Sequence, residues 1–581
     1  MTAVAAPDIA EQSGSDIAQL KGFDAYMGKL MRDWKVNGVA VAIAYDGEIV
    51  LCRGYGLRDV ERGLEVNAHT LMPIGSTTKT FVTAGIAQLA DGGLVDWDTP
   101  VRRYLPTLQL WDPVATERLT PRDMACHRSG LPRHDLMWYG SDRSRRELFD
   151  SLQYLEPSAD FRTKWQYQNL MYMTLGYLTE QISGLSWEDY VQQRIFDPLG
   201  MVSSRPTASA AKESPDLSRG YRKSKNKVEE IPLYEGFKAV APAGSIVSSV
   251  YDMSQWLLVH LNGGKHHGEQ FISEAQIRQM HAPNMVMESE KWAEMPHSSY
   301  GLAWFVQPYR GHNMIHHGGN IDGFSTMFAL MPERRVGVVV LTNMDATPVR
   351  DIVQYNVFDR FIDGKQVAWS ARMKAQWKEM EEAGTRGKEK SKSDQVKRTH
   401  PSHPLQDYVG TYGHPGYAPV KIELQDGKLQ ALYNGITLEM KHYHYDTFSM
   451  AVKRFDLNLL ASFITDVRGT VQQLSIPLEP TVQNIVFTRL PDESLTSRSF
   501  LEQFVGTYEL MGALIAIEFK GDVLQISVPG MPDYELQPVK GTEFALKGLS
   551  GFSIEFKRDG SGAVTEALVN QMGSVYTAKK R

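Results

Sequence analysis

The chain has 581 residues, of which 42% are apolar and 22% are charged, a composition typical of a folded globular protein rather than a disordered one. Its net charge of −6 gives no basic field for nucleic acid or an anionic membrane. Cys52 and Cys126 are the only cysteines, too few for a disulfide scaffold. No apolar run reaches the roughly 18 residues that span a bilayer. At about 150 residues per domain, the length predicts three to four domains.

Residues 1–16 are predicted to be an N-terminal tail. This segment lacks a basic start, its apolar stretch is short and its acidic residues come early, so it does not resemble a secretory signal. We therefore expect a cytoplasmic protein. A periplasmic or secreted protein whose signal had been removed would present a similar sequence.

Residues 17–370 are predicted to form one large α/β domain. Apolar, partly β-branched runs form a hairpin at each end, 39–45 with 48–53 around Asp46-Gly47, and 324–331 with 336–343 around a Pro-Glu-Arg-Arg turn. Mainly helical patterns lie between them, including a helix from Ser76 to about Ala90. Asp91-Gly92-Gly93 ends that helix. This order predicts an antiparallel sheet whose first and last hairpins meet, packed against a helical lobe.

Residues 371–404 differ in composition from what precedes them. They are rich in Lys and Glu and are then interrupted by Gly and Pro. The pattern predicts a short charged helix followed by a solvated linker. A spacer and a segment that binds a partner both fit this composition.

An internal repeat follows the linker. Leu405-Gln-Asp-Tyr-Val-Gly-Thr-Tyr412 recurs as Leu501-Glu-Gln-Phe-Val-Gly-Thr-Tyr508, an offset of 96 residues. Short alternating strands with Asp-Gly or Gly-Asp turns predict a small antiparallel β-barrel in each copy. The two predicted modules cover 405–495 and 496–581.

The first candidate for chemistry is Ser76-Thr77-Thr78-Lys79, which opens the predicted helix. Residues three apart share a helix face, so the Lys79 amine can lie beside the Ser76 hydroxyl and take its proton. A buried lysine with a depressed pKa suits that role. The motif alone is weak, because Ser209-Ala-Ala-Lys212 and Ser224-Lys-Asn-Lys227 also fit it, although both lie in polar stretches.

The second candidate is Tyr167-Gln168-Asn169, at the predicted junction of a loop and an apolar helix. A phenol near a lysine can act as a base, and an amide can hold a substrate carbonyl. Taken alone, the same residues also fit a helix-capping asparagine that follows a core tyrosine.

The third candidate is His316-His317-Gly318-Gly319-Asn320, before the strand that starts at Phe324. Paired glycines on an edge strand allow a substrate backbone to approach closely. Zinc binding by the two histidines is the obvious alternative, but no H-E-x-x-H motif or carboxylate at ligand spacing accompanies them. We therefore predict no metal site and no cofactor.

The three motifs occur in this order with gaps of 91 and 150 residues, and as a set they resemble the serine β-lactamase and penicillin-binding protein superfamily. Tyr-Gln-Asn in place of S-D-N is similar to class C β-lactamases. His-Gly-Gly in place of K-T-G is similar to D-aminopeptidases and carboxylesterases. Further segments look like family signatures over about residues 20–350: 119–123, 129–132, 196–201 and 243–248. A catalytic domain followed by two lipocalin-like barrels resembles the bacterial D-aminopeptidases.

The resemblance implies a role for each motif. Ser76 forms an acyl-enzyme, Lys79 and Tyr167 share the base role, and Asn169 binds the acyl side of the substrate. His317 replaces the lysine of the third motif with a group that titrates. The backbone N–H groups of Ser76 and Asn320 form the oxyanion hole, with Gly318 and Gly319 on the same strand.

Candidate residues for the substrate pocket are less specific. Aromatic side chains that fit a pocket, a core or a rim are Trp138, Tyr139, Trp292, Tyr300 and Trp304. Asp322 fits either a partner for a substrate ammonium or ordinary turn chemistry. Cys126 and His127 are adjacent and are not predicted to act as a catalytic pair.

The main hypothesis is a serine peptidase for peptides with D- or other non-standard residues, including linear peptides derived from nonribosomal cyclic toxins. An esterase or acyltransferase with the same nucleophile is the alternative. A non-catalytic binding protein would be expected to lack Ser76, Lys79 or Tyr167, and all three are present. No motif supplies the glutamate that class A β-lactamases use for deacylation, which argues against efficient β-lactamase activity. We expect a small peptide or an ester as the substrate. The sequence leaves open whether the chain forms a homo-oligomer.

Overall fold

The computed structural model describes residues 17–224, 227–288, 292–452, 457–467, 469–549 and 551–581, without the side chains of 388–393. The predicted tail over 1–16 lies outside the described residues. The chain divides into two compact units, Met1–Gln395 with Leu478–Asn484, and Val396–Pro477 with Ile485–Arg581.

The sheet of the first unit is nine-stranded, in the order β10-β11-β12-β13-β14-β15-β1-β2-β3. In chain order the strands of this unit are β1 Gly38–Tyr45, β2 Glu48–Asp59, β3 Leu64–Glu65, β4 Met72–Pro73, β5 Gly220–Ser224, β6 Lys227–Ile231, β7 Val247–Ser248, β8 Lys265–His266, β9 Glu269–Gln270, β10 Met285–Met287, β11 Ser298–Tyr300, β12 Phe305–Tyr309, β13 His312–Ile321, β14 Phe324–Met331 and β15 Val336–Thr342. Both predicted hairpins are confirmed, and they meet where β1 pairs antiparallel with β15.

Helices cover both faces of this sheet. They are α1 Phe23–Trp34, α2 Thr78–Asp91, α3 Pro113–Arg118, α4 Pro121–Ala125, α5 Asp135–Trp138, α6 Arg145–Ser151, α7 Asn169–Ser183, α8 Trp187–Val191, α9 Ala208–Ala211, α10 Val250–Leu261, α11 Glu274–His281, α12 Val349–Phe361 and α13 Trp369–Ser393. Val338 packs with α1 and α12, whereas the neighbouring Gly337 faces Leu257 of α10. Because successive strand residues point to opposite faces, α10 and α12 cover opposite sides of the sheet.

Helix α13 is longer than the short charged helix that the composition predicts. It extends over 25 residues, and it begins at Trp369, which is buried and donates a hydrogen bond from Nε1 to Tyr309 Oη over 2.9 Å. The apolar start of the helix is therefore part of the core of the first unit, while the charged remainder follows it in the same helix.

The second unit contains two closed antiparallel barrels of eight strands each, as the repeat predicts. The first comprises β16 Gly410–Gly413, β17 Val420–Gln425, β18 Lys428–Tyr433, β19 Ile436–His444, β20 Thr447–Val452, β21 Leu457–Thr465, β22 Val471–Ile476 and β23 Ile485–Arg489. After α14 Glu493–Thr496 and α15 Arg498–Leu501, the second comprises β24 Gly506–Leu510, β25 Ala513–Lys520, β26 Val523–Ser527, β27 Tyr534–Lys540, β28 Glu543–Leu546, β29 Phe552–Arg558, β30 Val564–Gln571 and β31 Ser574–Lys580.

The repeated motif has the same structural role in both barrels. Tyr412 Oη donates to the carbonyl of Tyr408 over 2.9 Å, and Tyr508 Oη donates to the carbonyl of Phe504 over 2.9 Å. Each tyrosine is fully buried, so its hydroxyl needs an internal partner, which the turn four residues earlier provides.

Candidate active site

Ser76 and Lys79 lie at the start of α2. Gly75–Thr77 forms one 3-10 turn that continues into the helix, and this tightened start brings Lys79 Nζ to 3.1 Å from Ser76 Oγ. Ser76 is partly exposed, whereas Lys79 is completely buried. The nucleophile can therefore be reached by a substrate while the amine beside it is shielded from water.

The Lys79 amine has two further partners. Nζ lies 2.9 Å from Asn169 Oδ1 and 2.6 Å from the carbonyl oxygen of Ala243, and both oxygens accept hydrogen bonds. Burial, and then the charge of Arg133, hold the pKa of Lys79 well below its usual value. A neutral amine has two N–H donors for these oxygens, which leaves its lone pair for the proton of Ser76.

Tyr167 and Asn169 lie where a loop enters α7. The cap of this helix is Gln168, whose side chain accepts a hydrogen bond from the N–H of Leu170 over 2.8 Å. The alternative of an asparagine cap is wrong, because Asn169 is the first helical residue and its side chain contacts Lys79 instead. The capped turn thus fixes the second motif beside the first.

The Tyr167 ring lies between charged and aromatic neighbours. Lys79 Nζ is 4.9 Å and Arg133 Cζ is 5.0 Å from its centroid, and the His127 ring centroid is 4.5 Å away. Burial raises the pKa of Tyr167 to about 12, although a hydrogen bond from Ser76 and the charge of Arg133 act in the opposite direction. Tyr167 therefore carries its proton at neutral pH and can donate it.

The third motif packs directly on the first. A Cβ atom on Gly319 would lie 1.9 Å from the carbonyl oxygen of Ile74, and one on Gly75 would lie 2.9 Å from the backbone nitrogen of Asn320. Only residues without a side chain permit this approach. The contact brings the backbone N–H of Asn320 next to the turn that carries Ser76, as an oxyanion hole of these two N–H groups requires.

Strand β13 is not an edge strand, because it lies between β12 and β14. Its pairing with β12 ends where Phe305 faces His316, and beyond that point β14 alone, among the described residues, pairs with it. The segment from His317 to Ile321 is therefore open on one side for a substrate backbone, although the strand as a whole is internal.

His317 is buried and neutral. It is 1% exposed, and its Nδ1 lies 2.7 Å from the carbonyl oxygen of Gly318, so this nitrogen carries the hydrogen. Nε2 can then accept the hydroxyl of Tyr300 over 2.9 Å. Burial, and then Lys79, hold the pKa of His317 well below its usual value. The expected titration near neutral pH is thus displaced to acid pH.

The two adjacent histidines point in opposite directions. His316 stacks on Phe305 and contacts Gln307 Oε1 through Nε2 over 2.7 Å, whereas Nε2 of His317 contacts Tyr300. Side chains of neighbouring strand residues cannot share one ligand position. Within the described part of the chain, no group of three or more His, Cys, Asp or Glu side chains could hold a metal ion.

The predicted pocket aromatics separate into two groups. Tyr300 and Trp304 are fully buried, and Trp292 packs against Trp369 in the core. Trp138 and Tyr139 are also buried, but they stack on Phe237 and Tyr234, respectively, in one aromatic cluster. Tyr139 Oη donates to Asp322 over 3.1 Å. These last residues remain the aromatic candidates for a substrate wall.

Cys126 and His127 do not form a catalytic pair. Burial raises the pKa of the Cys126 thiol to about 12. His127 has a different role, because its Nδ1 accepts the backbone N–H of Gln168 over 3.1 Å and its ring packs on Tyr167. His127 therefore helps to position the second motif, a function that no sequence motif indicated.

Arg133 and Asp135 are site residues that the sequence analysis did not select. Asn169 Nδ2 donates to Asp135 Oδ1 over 2.9 Å, and Arg133 Nε forms an ion pair with Asp135 Oδ2 over 2.5 Å. Their position immediately after segment 129–132, which looks like a family signature, could have indicated them. No local pattern marks this turn as part of a site.

Glu479 also supports this turn. It belongs to the segment Leu478–Asn484 of the first compact unit, is buried, and accepts the backbone N–H of His134 over 2.9 Å. His134 has a left-handed backbone with φ of 47°. The hydrogen bond therefore fixes an uncommon conformation between the two charged residues.

Among the residues that the structure describes, no helix combines the length and hydrophobicity needed to cross a bilayer.

The Beta-lactamase family model matches residues 23–359, which include all three motifs. A second model, a domain of unknown function named DUF3471, matches residues 394–489 around the first barrel.

Similar proteins agree with this match. The chain is 30% identical over 446 residues to "Unguisins hydrolase ungD'" of Aspergillus campestris, covering 73% of this chain and 80% of the relative. It is 22% identical over 348 residues to "Protein flp" of Staphylococcus aureus, covering 59% of this chain and 67% of the relative. The octameric penicillin-binding protein homologue from Pyrococcus abyssi shares the fold, with a TM-score of 0.53, 21% identity and coverage of 81% of this chain and 100% of that chain. The chain therefore belongs to the Beta-lactamase family, and it is a hydrolase of the β-lactamase and penicillin-binding protein superfamily.

Proposed function

We propose that this chain is a serine peptidase that opens peptide or amide bonds through an acyl-enzyme on Ser76. Its substrates in this proposal are peptides that contain D- or other non-standard residues. Two relatives are named as hydrolases of unguisins, which supports a hydrolytic reaction for this chain. The observation that carries the proposal is the fully buried Lys79 amine, 3.1 Å from a partly exposed Ser76 hydroxyl.

Acylation begins with proton transfer from Ser76 to the neutral amine of Lys79. Ser76 Oγ bonds to the substrate carbonyl carbon, and the electron pair of the C=O bond moves to oxygen. The backbone N–H groups of Ser76 and Asn320 stabilise this oxyanion. The C–N bond then breaks as Tyr167 gives its proton to the leaving amine and is reprotonated by the Lys79 ammonium.

Deacylation reverses these roles with water as the nucleophile. A water molecule attacks the ester carbon while its proton passes to Lys79, either directly or through Tyr167. The C–Oγ bond breaks, Ser76 regains a proton and the free acid leaves. The enzyme returns to its starting protonation state, so one peptide bond and one water are consumed in each cycle.

The neutral third motif bears on the choice of substrate. With His317 buried and its pKa well below the usual value, the position lacks the fixed charge that a lysine would supply for a substrate carboxylate. We therefore expect weak recognition of a β-lactam or of a C-terminal carboxylate at neutral pH. Internal or amino-terminal peptide bonds and amides fit this site better.

The first experiment combines intact-protein mass spectrometry with product analysis. The full chain and its Ser76→Ala variant are mixed with L- and D-amino acid amides, short peptides of mixed chirality, p-nitrophenyl esters and a penicillin. We expect peptide or amide cleavage by the parent chain, a mass increase equal to the acyl group, and loss of both in the variant. The ends of the products separate aminopeptidase from endopeptidase action.

Two outcomes would contradict the proposal. Equal turnover by the parent chain and the Ser76→Ala variant would remove the nucleophile assignment. Turnover of esters alone, dependent on Ser76, would favour an esterase or acyltransferase of the same family. Transfer of the acyl group to an added amine or alcohol rather than to water would identify the acyltransferase.

A further inference from the structure

The acylation mechanism does not use two charged side chains that lie beside it. Arg133 and Asp135 flank His134 at the turn before α5, and their side chains form the ion pair described above. Arg133 is 51% exposed and Asp135 is 30% exposed at the side chain, so the pair lies at the border between solvent and the buried amine. Its charges are partly screened but are close enough to act on Lys79 and Tyr167.

The positive end of the pair contacts the proton donor directly. Arg133 Cζ is 5.0 Å from the centroid of the Tyr167 ring, a distance at which a guanidinium interacts with an aromatic face. A cation at this place disfavours a second positive charge on Lys79 and favours negative charge on the Tyr167 oxygen. The effects that Arg133 has on the pKa of both groups have these directions.

The negative end of the pair contacts the amine through one intermediate side chain. Asp135 Oδ1 accepts from Asn169 Nδ2 over 2.9 Å, and Asn169 Oδ1 accepts from Lys79 Nζ over 2.9 Å. A carboxylate needs the amide N–H and an amine needs the amide oxygen, so these contacts fix the orientation of the Asn169 amide. The negative charge of Asp135 favours the protonated form of Lys79, opposite in direction to Arg133.

The turn between the two residues is held in place. His134 donates its backbone N–H to Glu479 over 2.9 Å, and its Nε2 contacts the carbonyl oxygen of Glu156 over 3.0 Å. Trp138 Nε1 adds a hydrogen bond to Asp135 Oδ1 over 3.1 Å. The pair is therefore part of a hydrogen-bonded network, unlike the isolated surface pairs that contribute little to stability.

We propose that Arg133 and Asp135 are positioning residues of opposite charge that together fix the pH range in which Ser76 can be acylated. The proposal rests on the acyl-enzyme function given above. Arg133 disfavours the protonated form of Lys79, so the amine can still accept the Ser76 proton at lower pH. Asp135 favours the protonated form, and it also orients Asn169.

Other ionisable groups also lie around the site. Burial keeps the pKa values of His127 and His317 well below the usual value and those of Tyr172 and Tyr300 well above it, so all four are uncharged near neutral pH. Arg350 of α12 is a further cation near the site, and it donates to the carbonyl oxygens of Gly319 and Thr326 over 2.7 and 3.1 Å. Glu479 is a further carboxylate close to Arg133, and burial holds the pKa of His134 below its usual value.

The test is the acid limb of the pH profile of kcat/KM, measured on the full chain with p-nitrophenyl acetate. In Arg133→Met the cation that opposes protonation is lost, so the limb moves to higher pH by about half to one unit, which is up to ~10-fold lower kcat/KM on the limb. In Asp135→Asn the limb moves to lower pH, while the asparagine oxygen can still accept from Asn169. Arg133→Lys keeps the charge and leaves the limb in place.

Two further variants sharpen the test. The double variant Arg133→Met with Asp135→Asn should return the limb towards that of the parent chain, because the two shifts cancel. Arg146→Met is the matched control, since Arg146 is 52% exposed and is paired with Asp150 over 2.7 Å outside the site. Its profile should not change. Circular dichroism and thermal unfolding establish that each variant is folded before its profile is compared.

Several results would overturn the inference. If both single variants lose rate without a shift, or shift in the same direction, the pair has only a structural role. If Arg133→Met raises KM only for substrates with a carboxylate, Arg133 binds substrate instead. A Ser76→Ala variant as active as the parent chain would remove the proposed function itself, so the two failures are distinguishable.

Discussion

A fully buried lysine with three oxygen neighbours is the central residue of this site. Lys79 lies within hydrogen-bond distance of Ser76, Asn169 and the carbonyl of Ala243, and its environment disfavours the charged form. The same side chain in water would be an ammonium ion with no capacity to accept a proton. Burial therefore converts an ordinary surface residue type into a base.

Replacement of Lys79 by Met tests this argument at the level of one residue. The variant keeps the length of the side chain but has no lone pair to accept the Ser76 proton. We expect kcat/KM for p-nitrophenyl acetate to fall by at least about 10²-fold, the usual range for the loss of a general base. Initial rates at several pH values, corrected with the Ser76→Ala variant, provide the measurement.

Lys212→Met is the matched control for that experiment. Lys212 ends another S-x-x-K sequence, 209–212, but its side chain is 56% exposed and pairs with Glu235 over 2.8 Å. Its replacement should leave kcat/KM unchanged. Equal losses in both variants would mean that burial does not distinguish the catalytic lysine, and the base assignment would be wrong.

At the scale of elements, the site depends on how closely β13 approaches the turn before α2. Thr326 of β14 donates to the carbonyl of Ile74 over 2.8 Å and lies opposite Gly319 in the sheet. The carbonyl of Ile74 would touch any Cβ atom at position 319. Sheet and helix are thus joined where the oxyanion hole must form.

Gly319→Ala should separate these two elements. The new methyl group meets backbone 1.9 Å away, so the strand or the Ser76 turn has to move. A displacement of about 1 Å at a catalytic group can cost ~10²-fold in rate, and we expect a loss of that order in kcat. Steady-state kinetics with p-nitrophenyl acetate measure it, and circular dichroism establishes that the sheet persists.

Gly318→Ala is the neighbouring comparison. Its Cβ atom would lie 2.9 Å from Nη1 of Arg350, a side-chain end that can shift more easily than backbone, and 3.3 Å from the carbonyl oxygen of Thr326. We expect a much smaller loss than for Gly319→Ala. The reverse order of the two losses would show that contact with Arg350, rather than contact with Ile74, controls the geometry of the strand.

At the scale of the whole molecule, the first compact unit is built from two separate segments of the chain. The first unit ends at Gln395 but also includes Leu478–Asn484, between β22 and β23. Glu479 in that segment holds the turn between Arg133 and Asp135. A residue remote in sequence therefore contributes to the order of the site.

Truncation after Gln395 tests this contribution. The shortened chain keeps the buried Trp369, so it should fold, but it lacks Glu479. We expect a several-fold lower kcat/KM for p-nitrophenyl acetate, and a similar loss in the full-length Glu479→Ala variant, because both leave the His134 N–H without its partner. A hydrogen bond to a charged group contributes about 1.5–3 kcal/mol to the stability of the turn, and we expect only part of this to appear in the rate.

Peptides of increasing length extend the same experiment. If the barrels restrict access to Ser76, the truncated chain should accept longer peptides, whereas Glu479→Ala should not. An unchanged length preference after truncation would count against gating. Truncation before Trp369 is unsuitable, since it removes a buried tryptophan at a cost of about 3–5 kcal/mol.

The sequence by itself determined the elements whose signals are local. Asp46-Gly47 specifies a tight hairpin, and both residues have positive φ, 50° and 91°. The order of the three motifs, the helix after Ser76 and the repeated barrels also follow from short segments. The family could be recognised for the same reason, because its motifs are short and occur in a characteristic order.

Only the tertiary structure decided the properties that depend on distant neighbours. The pKa of His317 is lowered by burial and by Lys79, which is remote in sequence, and its Nε2 accepts the hydroxyl of Tyr300, 17 residues earlier in the chain. The charged composition after residue 371 did not reveal the full length of α13. This helix begins at Trp369, which is hydrogen-bonded to Tyr309. Arg133 and Asp135 became visible only when folding brought them to Tyr167 and Asn169, because electrostatic action depends on distance in space and not on spacing in sequence.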